Sequence, residues 1–218
     1  MKKHFLFFFL LLNAVIVTAQ KPAFYDDIQK FKHADSVKPA QQNAILFVGS
    51  SSFTKWTDVQ DYFPYCTIIN RGFGGSRLLD VITYADDIIF PYHPKQIVIY
   101  CGENDLAYAD TVSAQTVASR FSTLFDIIRS LWDTIPIAFI SLKPSPSREN
   151  LMPKMMEANT GIKSFLVTKK NTAFIDVYSK MLTADGKLIP EIYIEDKLHM
   201  NAKGYAIWQK AIAPYLLK

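Results

Sequence analysis

Near-continuous apolar runs recur along this chain with helix-type segments between them, and that alternation restricts the fold more than any other feature of the sequence. Ala44-Ile45-Leu46-Phe47-Val48 is the first run, and Gln96-Ile97-Val98-Ile99-Tyr100 and the stretch from Ile135 to Leu142 repeat it. Short runs of this kind, closed by turn residues, are the pattern of strands buried on both faces. Shorter strands are expected at Thr67-Ile68-Ile69 and at Thr172-Ala173-Phe174-Ile175. Between them, Arg77 to Ile89, Val112 to Trp132, Leu151 to Thr168 and Asn201 to Leu217 read as helices, with Phe24 to Ala34 an opening amphipathic helix that covers the sheet. The alternation predicts an α/β fold: a mainly parallel sheet, helices on both faces and right-handed crossovers. In such sheets ligands bind beyond the carboxyl ends of the strands, so the residues just after each run carry the functional interest.

At 218 residues, 50% of them hydrophobic, the chain can bury one substantial core. A single domain is expected from residue 20 to 218. Residues 1–19 read as a secretory signal: Met1-Lys2-Lys3-His4, an apolar run from Phe5 to Leu12, then Val17-Thr18-Ala19 before Gln20. Cleavage is expected after Ala19, with export to the periplasm or the medium. The competing reading is a membrane anchor, but Phe5 to Ala19 falls short of the ~20 apolar residues that a spanning helix needs. No cysteine follows the run, which disfavours a lipid anchor, so no stable membrane insertion is expected once the signal is removed.

Loss of Lys2 and Lys3 with the signal takes the formal net charge from +4 to about +2. The remaining Lys and Arg are scattered, and no basic run interleaves with aromatics. Nucleic acid is therefore not an expected partner.

Four short motifs stand in order along the chain: Gly49-Ser50-Ser51-Ser52 after the first run, Gly74-Gly75 after Asn70-Arg71-Gly72, Gly102-Glu103-Asn104-Asp105 after the run that ends at Tyr100, and Asp196-Lys197-Leu198-His199 near the carboxyl terminus. Each is common by itself. Gly72, Gly74 and Gly75 suit a flexible strand-to-helix turn, Asn104 a turn, and Asp196 with His199 a loop that caps the last helix. Asn201 is the better cap for that helix, which frees the other two. Taken together, the motifs supply a serine nucleophile, donors for an oxyanion, an imidazole base and a carboxylate to orient it. Serine is a weak nucleophile unless a base takes its proton, and histidine, with an ordinary pKa of ~6.5, is the usual base. His4 leaves with the signal, His33 sits in the opening helix and His93 precedes the third strand, so His199 is the best placed. Asp196, three residues earlier, can reach its other ring nitrogen.

This ordered set resembles the SGNH hydrolases, the GDSL-type esterases and lipases, over about Ile45 to Tyr205. The resemblance implies a three-layer αβα, flavodoxin-like fold with a five-stranded parallel sheet in the order 2-1-3-4-5. It places the nucleophile at Ser51, choosing among three consecutive serines, and the triad partners at Asp196 and His199. It places the oxyanion donors at the backbone N–H groups of Ser51 and Gly75 and the side-chain amide of Asn104. Ser50 stands where the family name has Asp. No metal ligand set and no other cofactor are expected: the remaining histidines are isolated and neither cysteine has a ligand-spaced partner. Asp105 is expected to hold the loop rather than to react. Lys143 to Arg148, with two prolines, reads either as a stiff wall near the acyl pocket or as a plain loop. Trp56, Tyr62, Phe63, Tyr65, Phe73 and Tyr108 lie near the motifs and divide between pocket lining and core, with core the commoner fate.

The function this implies is a secreted serine esterase acting on a small-molecule acyl ester, with an acyl-serine intermediate and a short or acetyl acyl group. No long apolar insertion between the motifs could form a lipase lid. A lipid esterase of the lysophospholipase or platelet-activating-factor acetylhydrolase type is the alternative, and a non-catalytic carbohydrate-binding relative the third. In the implied strand order the first strand separates Cys66 from Cys101, which also lie at opposite ends of the sheet, beyond the ~7 Å Cα limit of a disulfide. Both are expected to be free thiols.

Overall fold

The computed structural model describes residues 21–218, so the expected signal segment lies outside the described residues. In chain order the strands are β1 (Ile45–Gly49), β2 (Ile68–Gly72), β3 (Gln96–Tyr100), β4 (Ile137–Ile140) and β5 (Thr172–Ile175). They form one parallel sheet in the order β2-β1-β3-β4-β5, the order the resemblance implied. The helices are α1 (Tyr25–Val37), α2 (Ser51–Thr54), α3 (Val59–Tyr62), α4 (Leu78–Thr83), α5 (Ala85–Ile88), α6 (Glu103–Tyr108), α7 (Ala114–Leu131), α8 (Met152–Val167) and α9 (Ala202–Ile212).

Alternation along the central strands builds two cores. Leu46, Val48, Ile97 and Ile99 face one side with Leu78, Val117, Phe121, Leu124 and Met155. Ile45, Phe47, Val98 and Tyr100 face the other with Phe53, Trp56, Trp208 and Ile212. Every residue of β1 and β3 is buried, which is why their sequences are nearly unbroken apolar runs. Each fully buried large apolar side chain contributes about 1.5–3 kcal/mol. Among the described residues, no helix is long and apolar enough to cross a membrane.

The expected helix from Arg77 to Ile89 is two helices, broken at Tyr84 (φ −102°, ψ 13°), whose hydroxyl donates to the Ala23 carbonyl at 2.6 Å. The last helix stops at Ile212 and gives way to a tighter turn over Ala213–Tyr215, because Pro214 has no N–H with which to continue it. Asn201 does cap that helix, accepting from the Lys203 and Gly204 N–H groups at 2.9 and 3.3 Å. Cys66 and Cys101 are free and buried, ahead of β2 and behind β3 respectively.

Candidate active site

Three motifs follow the carboxyl ends of β1, β2 and β3, which are adjacent in the sheet. Ser51 is the first residue of α2, directly after the strand-to-helix turn. Gly49 makes that turn possible: a Cβ there would sit 1.9 Å from the Tyr100 carbonyl oxygen, and the residue has φ +150°. Asn70 ties the serine-bearing helix to the glycine turn, donating to the Phe53 carbonyl at 2.7 Å and accepting from the Gly72 N–H at 3.0 Å. Ser51 packs beside Gly74, its Cβ 4.0 Å from where a Gly74 Cβ would stand. Gly75 has φ +84°, a conformation side chains rarely adopt, and leaves its backbone open to the cleft.

Ser76 links the two donor loops. Its hydroxyl donates to the Gly49 carbonyl at 3.2 Å, and its own carbonyl accepts from Asn104 Nδ2 at 3.0 Å. Asp105, next to Asn104, is fully buried and accepts from the Leu78 N–H at 2.9 Å and from Arg120 at 2.7 Å. It holds the loop, as its sequence position suggested. Gly75 and Asn104 line one open cavity of about 390 Å³ together with Phe24, Arg77, Tyr108 and Arg148. Of the aromatics near the motifs, Trp56, Phe63 and Phe73 are core, Tyr62 is half-buried, and Tyr65 and Tyr108 are exposed. Only Tyr108 of these six lines the cavity.

His199 Nδ1 lies 2.6 Å from Asp196 Oδ2, while Asp196 Oδ1 accepts from the Leu198 and His199 N–H groups, each at 2.9 Å. Burial alone would raise the Asp196 carboxyl, but the His199 ring and these two N–H groups outweigh it and hold it at about 2. The carboxylate is therefore ionised at working pH and spent on the histidine and its own loop, not on capping α9. His199 Nε2 is buried and has no hydrogen-bond partner. The structure thus brings Asp196 to His199 and Asn104 to the Gly75 turn, but makes no hydrogen bond between Ser51 and His199. Such contacts are often long in the absence of substrate and close in the reacting complex.

Sequence reasoning missed the polar core that joins these parts. Glu103 and Lys143 are buried side by side, Nζ to Oε2 3.3 Å, with Arg148 Nη1 2.9 Å from Glu103 Oε1 and the Tyr100 hydroxyl also donating to Glu103. Burial raises the Glu103 carboxyl, yet Lys143 and Arg148 together draw it below the ordinary range. Lys143 Nζ donates to the Leu198 carbonyl at 2.8 Å, the Ser147 N–H to the Lys197 carbonyl at 3.1 Å, and the Tyr193 hydroxyl to the Pro144 carbonyl at 2.6 Å. The segment from Lys143 to Arg148 is therefore a brace between the histidine loop and the Asn104 loop, and only its end at Arg148 walls the cavity. The available signal was a lysine at the end of the largely apolar run from Ile135 to Leu142, where a charge must find a partner. Phe24 was also missed, because only tertiary packing against Phe73, centroids 5.2 Å apart, carries it to the cavity. Among the described residues, no group of three His, Cys, Asp or Glu side chains could hold a metal ion.

The family model described as the GDSL-like Lipase/Acylhydrolase family matches residues 47–207, a span that contains Ser51, Gly75, Asn104, Asp196 and His199. The chain belongs to that family and is a carboxylic ester hydrolase. Solved structures share its fold. A candidate platelet activating factor from Streptococcus pneumonia is 21% identical with a TM-score of 0.76, over 88% of this chain and 92% of that one. A GDSL-like lipase from Bacteroides thetaiotaomicron is 18% identical with a TM-score of 0.73, over 86% and 95%. A catalytic mutant of an acetylxylan esterase from Geobacillus stearothermophilus is 16% identical with a TM-score of 0.63, over 80% and 94%. No curated protein matches the chain.

Proposed function

We propose that this protein is an exported serine esterase that removes acetyl or other short acyl groups, with Ser51 as nucleophile, His199 as base and Asp196 as its orienting carboxylate. The observation that carries the reading is the His199 ring: Nδ1 is committed to an ionised Asp196, and the buried Nε2 is left without a partner. A buried ring nitrogen of this kind is poised to accept a proton.

In the proposed cycle Ser51 Oγ attacks the ester carbonyl carbon and its proton passes to Nε2. Charge collects on the former carbonyl oxygen, where the N–H groups of Ser51 and Gly75 and the Asn104 amide donate to it. The ester C–O bond then breaks, and Nε2 returns the proton to the departing alcohol. A water molecule, deprotonated by the same nitrogen, then attacks the acyl carbon, the acyl–Oγ bond breaks to release the acid, and Nε2 returns the proton to Ser51 Oγ. The preference for a short acyl group draws support from the acetyl chemistry named for the Geobacillus esterase. Export rests on the signal-type sequence of residues 1–19.

The test is a panel of p-nitrophenyl esters of rising chain length beside acetylated sugars. We expect turnover to be greatest for the acetyl esters and to vanish in Ser51→Ala, while Ser50→Ala and Ser52→Ala retain much of it. A Ser51→Ala enzyme with near wild-type turnover overturns the assignment, and a preference for long chains overturns the substrate class.

A further inference from the structure

We infer that Arg148 is a positioning residue that sets and polarises the Asn104 amide. The inference rests on the reading of Asn104 as an oxyanion donor. Arg148 Nη2 donates to Asn104 Oδ1 at 2.8 Å, and Asn104 Nδ2 donates to the Ser76 carbonyl at 3.0 Å. A guanidinium has donors only and a carbonyl oxygen accepts only, so these two neighbours admit one orientation of the amide. The flipped rotamer would set NH₂ against guanidinium and oxygen against oxygen. Nδ2 carries two hydrogens, and the Ser76 carbonyl takes one of them. The second remains for the cavity that Asn104 shares with Gly75.

Charge adds to geometry. A cationic donor on Oδ1 draws electron density through the amide and strengthens what Nδ2 can donate. Glu103 also has two basic partners, Lys143 and Arg148, so its carboxylate is shared and does not by itself cancel the guanidinium that reaches Asn104. Placed behind a donor aimed at a developing oxyanion, that charge stabilises the transition state more than the neutral ester. Arg148 is itself held: its Nη1 is on Glu103, and its N–H donates to the Ser145 carbonyl at 3.1 Å between two prolines.

A double-mutant cycle tests this. Arg148→Met is expected to lower kcat about tenfold with KM nearly unchanged, and to add nothing in an Asn104→Ala background. Arg148→Lys keeps a cation on Glu103 but lacks the fork that reaches Asn104, so it should fold and still show the loss in kcat. It carries the cycle if the Met variant does not fold. Losses that multiply fully with Asn104→Ala, or a rise in KM alone, overturn the proposal and make Arg148 a substrate-binding residue. A normal kcat in Asn104→Ala alone would instead refute the oxyanion reading beneath it.

Discussion

The two sides of the candidate site are built in opposite ways. On the oxyanion side, Asn104 stands between two buried carboxylates, Asp105 paired with Arg120 and Glu103 paired with Lys143 and Arg148, and its amide is bonded at both ends. On the base side, Asp196 and His199 hang on a stretch after β5 that holds only short turns and isolated bridges. The Asp196 side chain is 43% exposed, and Lys197 takes a left-handed φ of 56°. The contrast follows from what each part must do. Oxyanion donors help most when no reorganisation is left to make during the reaction. A base has to exchange its Nε2 proton with the reacting groups while the carboxylate keeps its ring oriented, and segments that adjust come from the less densely packed parts of a fold. The Lys143 to Arg148 brace lets one side borrow rigidity from the other.

If the contrast is real, substitutions on the two sides should separate activity from stability. Between the two sides, the larger effect on activity is expected from Asp196→Asn, on the order of 10⁴-fold in kcat, because the imidazole loses the partner that fixes its tautomer. Its melting temperature should stay within a few degrees of wild type. Asp105→Ala should instead show its main effect in stability, with any loss of kcat following from the loosened Asn104 loop. It strands Arg120 and the Leu78 N–H and opens a cavity, costing about 3 kcal/mol, or roughly 6–12 °C in Tm for a chain of this size. Thermal melts and steady-state kinetics on the two variants decide it. A large loss of Tm in Asp196→Asn, or none in Asp105→Ala, would erase the distinction.

The same contrast governs what could be read from the sequence. The strands β1, β3 and β4 were legible because burial on both faces leaves nearly unbroken apolar runs, with Gln96 at the start of β3 the one amide among them. Ser51, Gly75 and Asn104 were legible because each follows a strand, where the fold class already places ligands, and Asp196 and His199 because of their three-residue spacing. The break at Tyr84 was not, since it answers to the Ala23 carbonyl, far away in sequence. Short helices such as α2 and α6 escaped for a similar reason: the four residues of α2 and six of α6 are too few for a periodic signal. The brace was the hardest part. Lys143, Glu103 and Arg148 lie 40 to 45 residues apart in their pairings, and nothing local distinguishes a buried ion cluster from a solvated loop.

The smallest expected effect concerns acid. A carboxylate held at about 2, as Asp196 is, stabilises the fold fully above its unfolded value of ~3.9 and loses that contribution as pH falls toward 2. Asp105 has the opposite sign: burial raises its carboxyl, so its ionised form costs stability and protonation in acid relieves the cost. The wild-type profile mixes the two, and only the difference between wild type and Asp196→Asn isolates the base side. Solvent reaches Asp196, which limits the difference to about 1 kcal/mol, or no more than about 2–4 °C in Tm at neutral pH. The two melting curves should then converge between about pH 4 and pH 2. A gap that persists unchanged at the acid end would mean that Asp196 holds its loop by packing rather than charge. A gap several times larger at neutral pH would mean that the base side is as firmly anchored as the oxyanion side, and the contrast between them would fail.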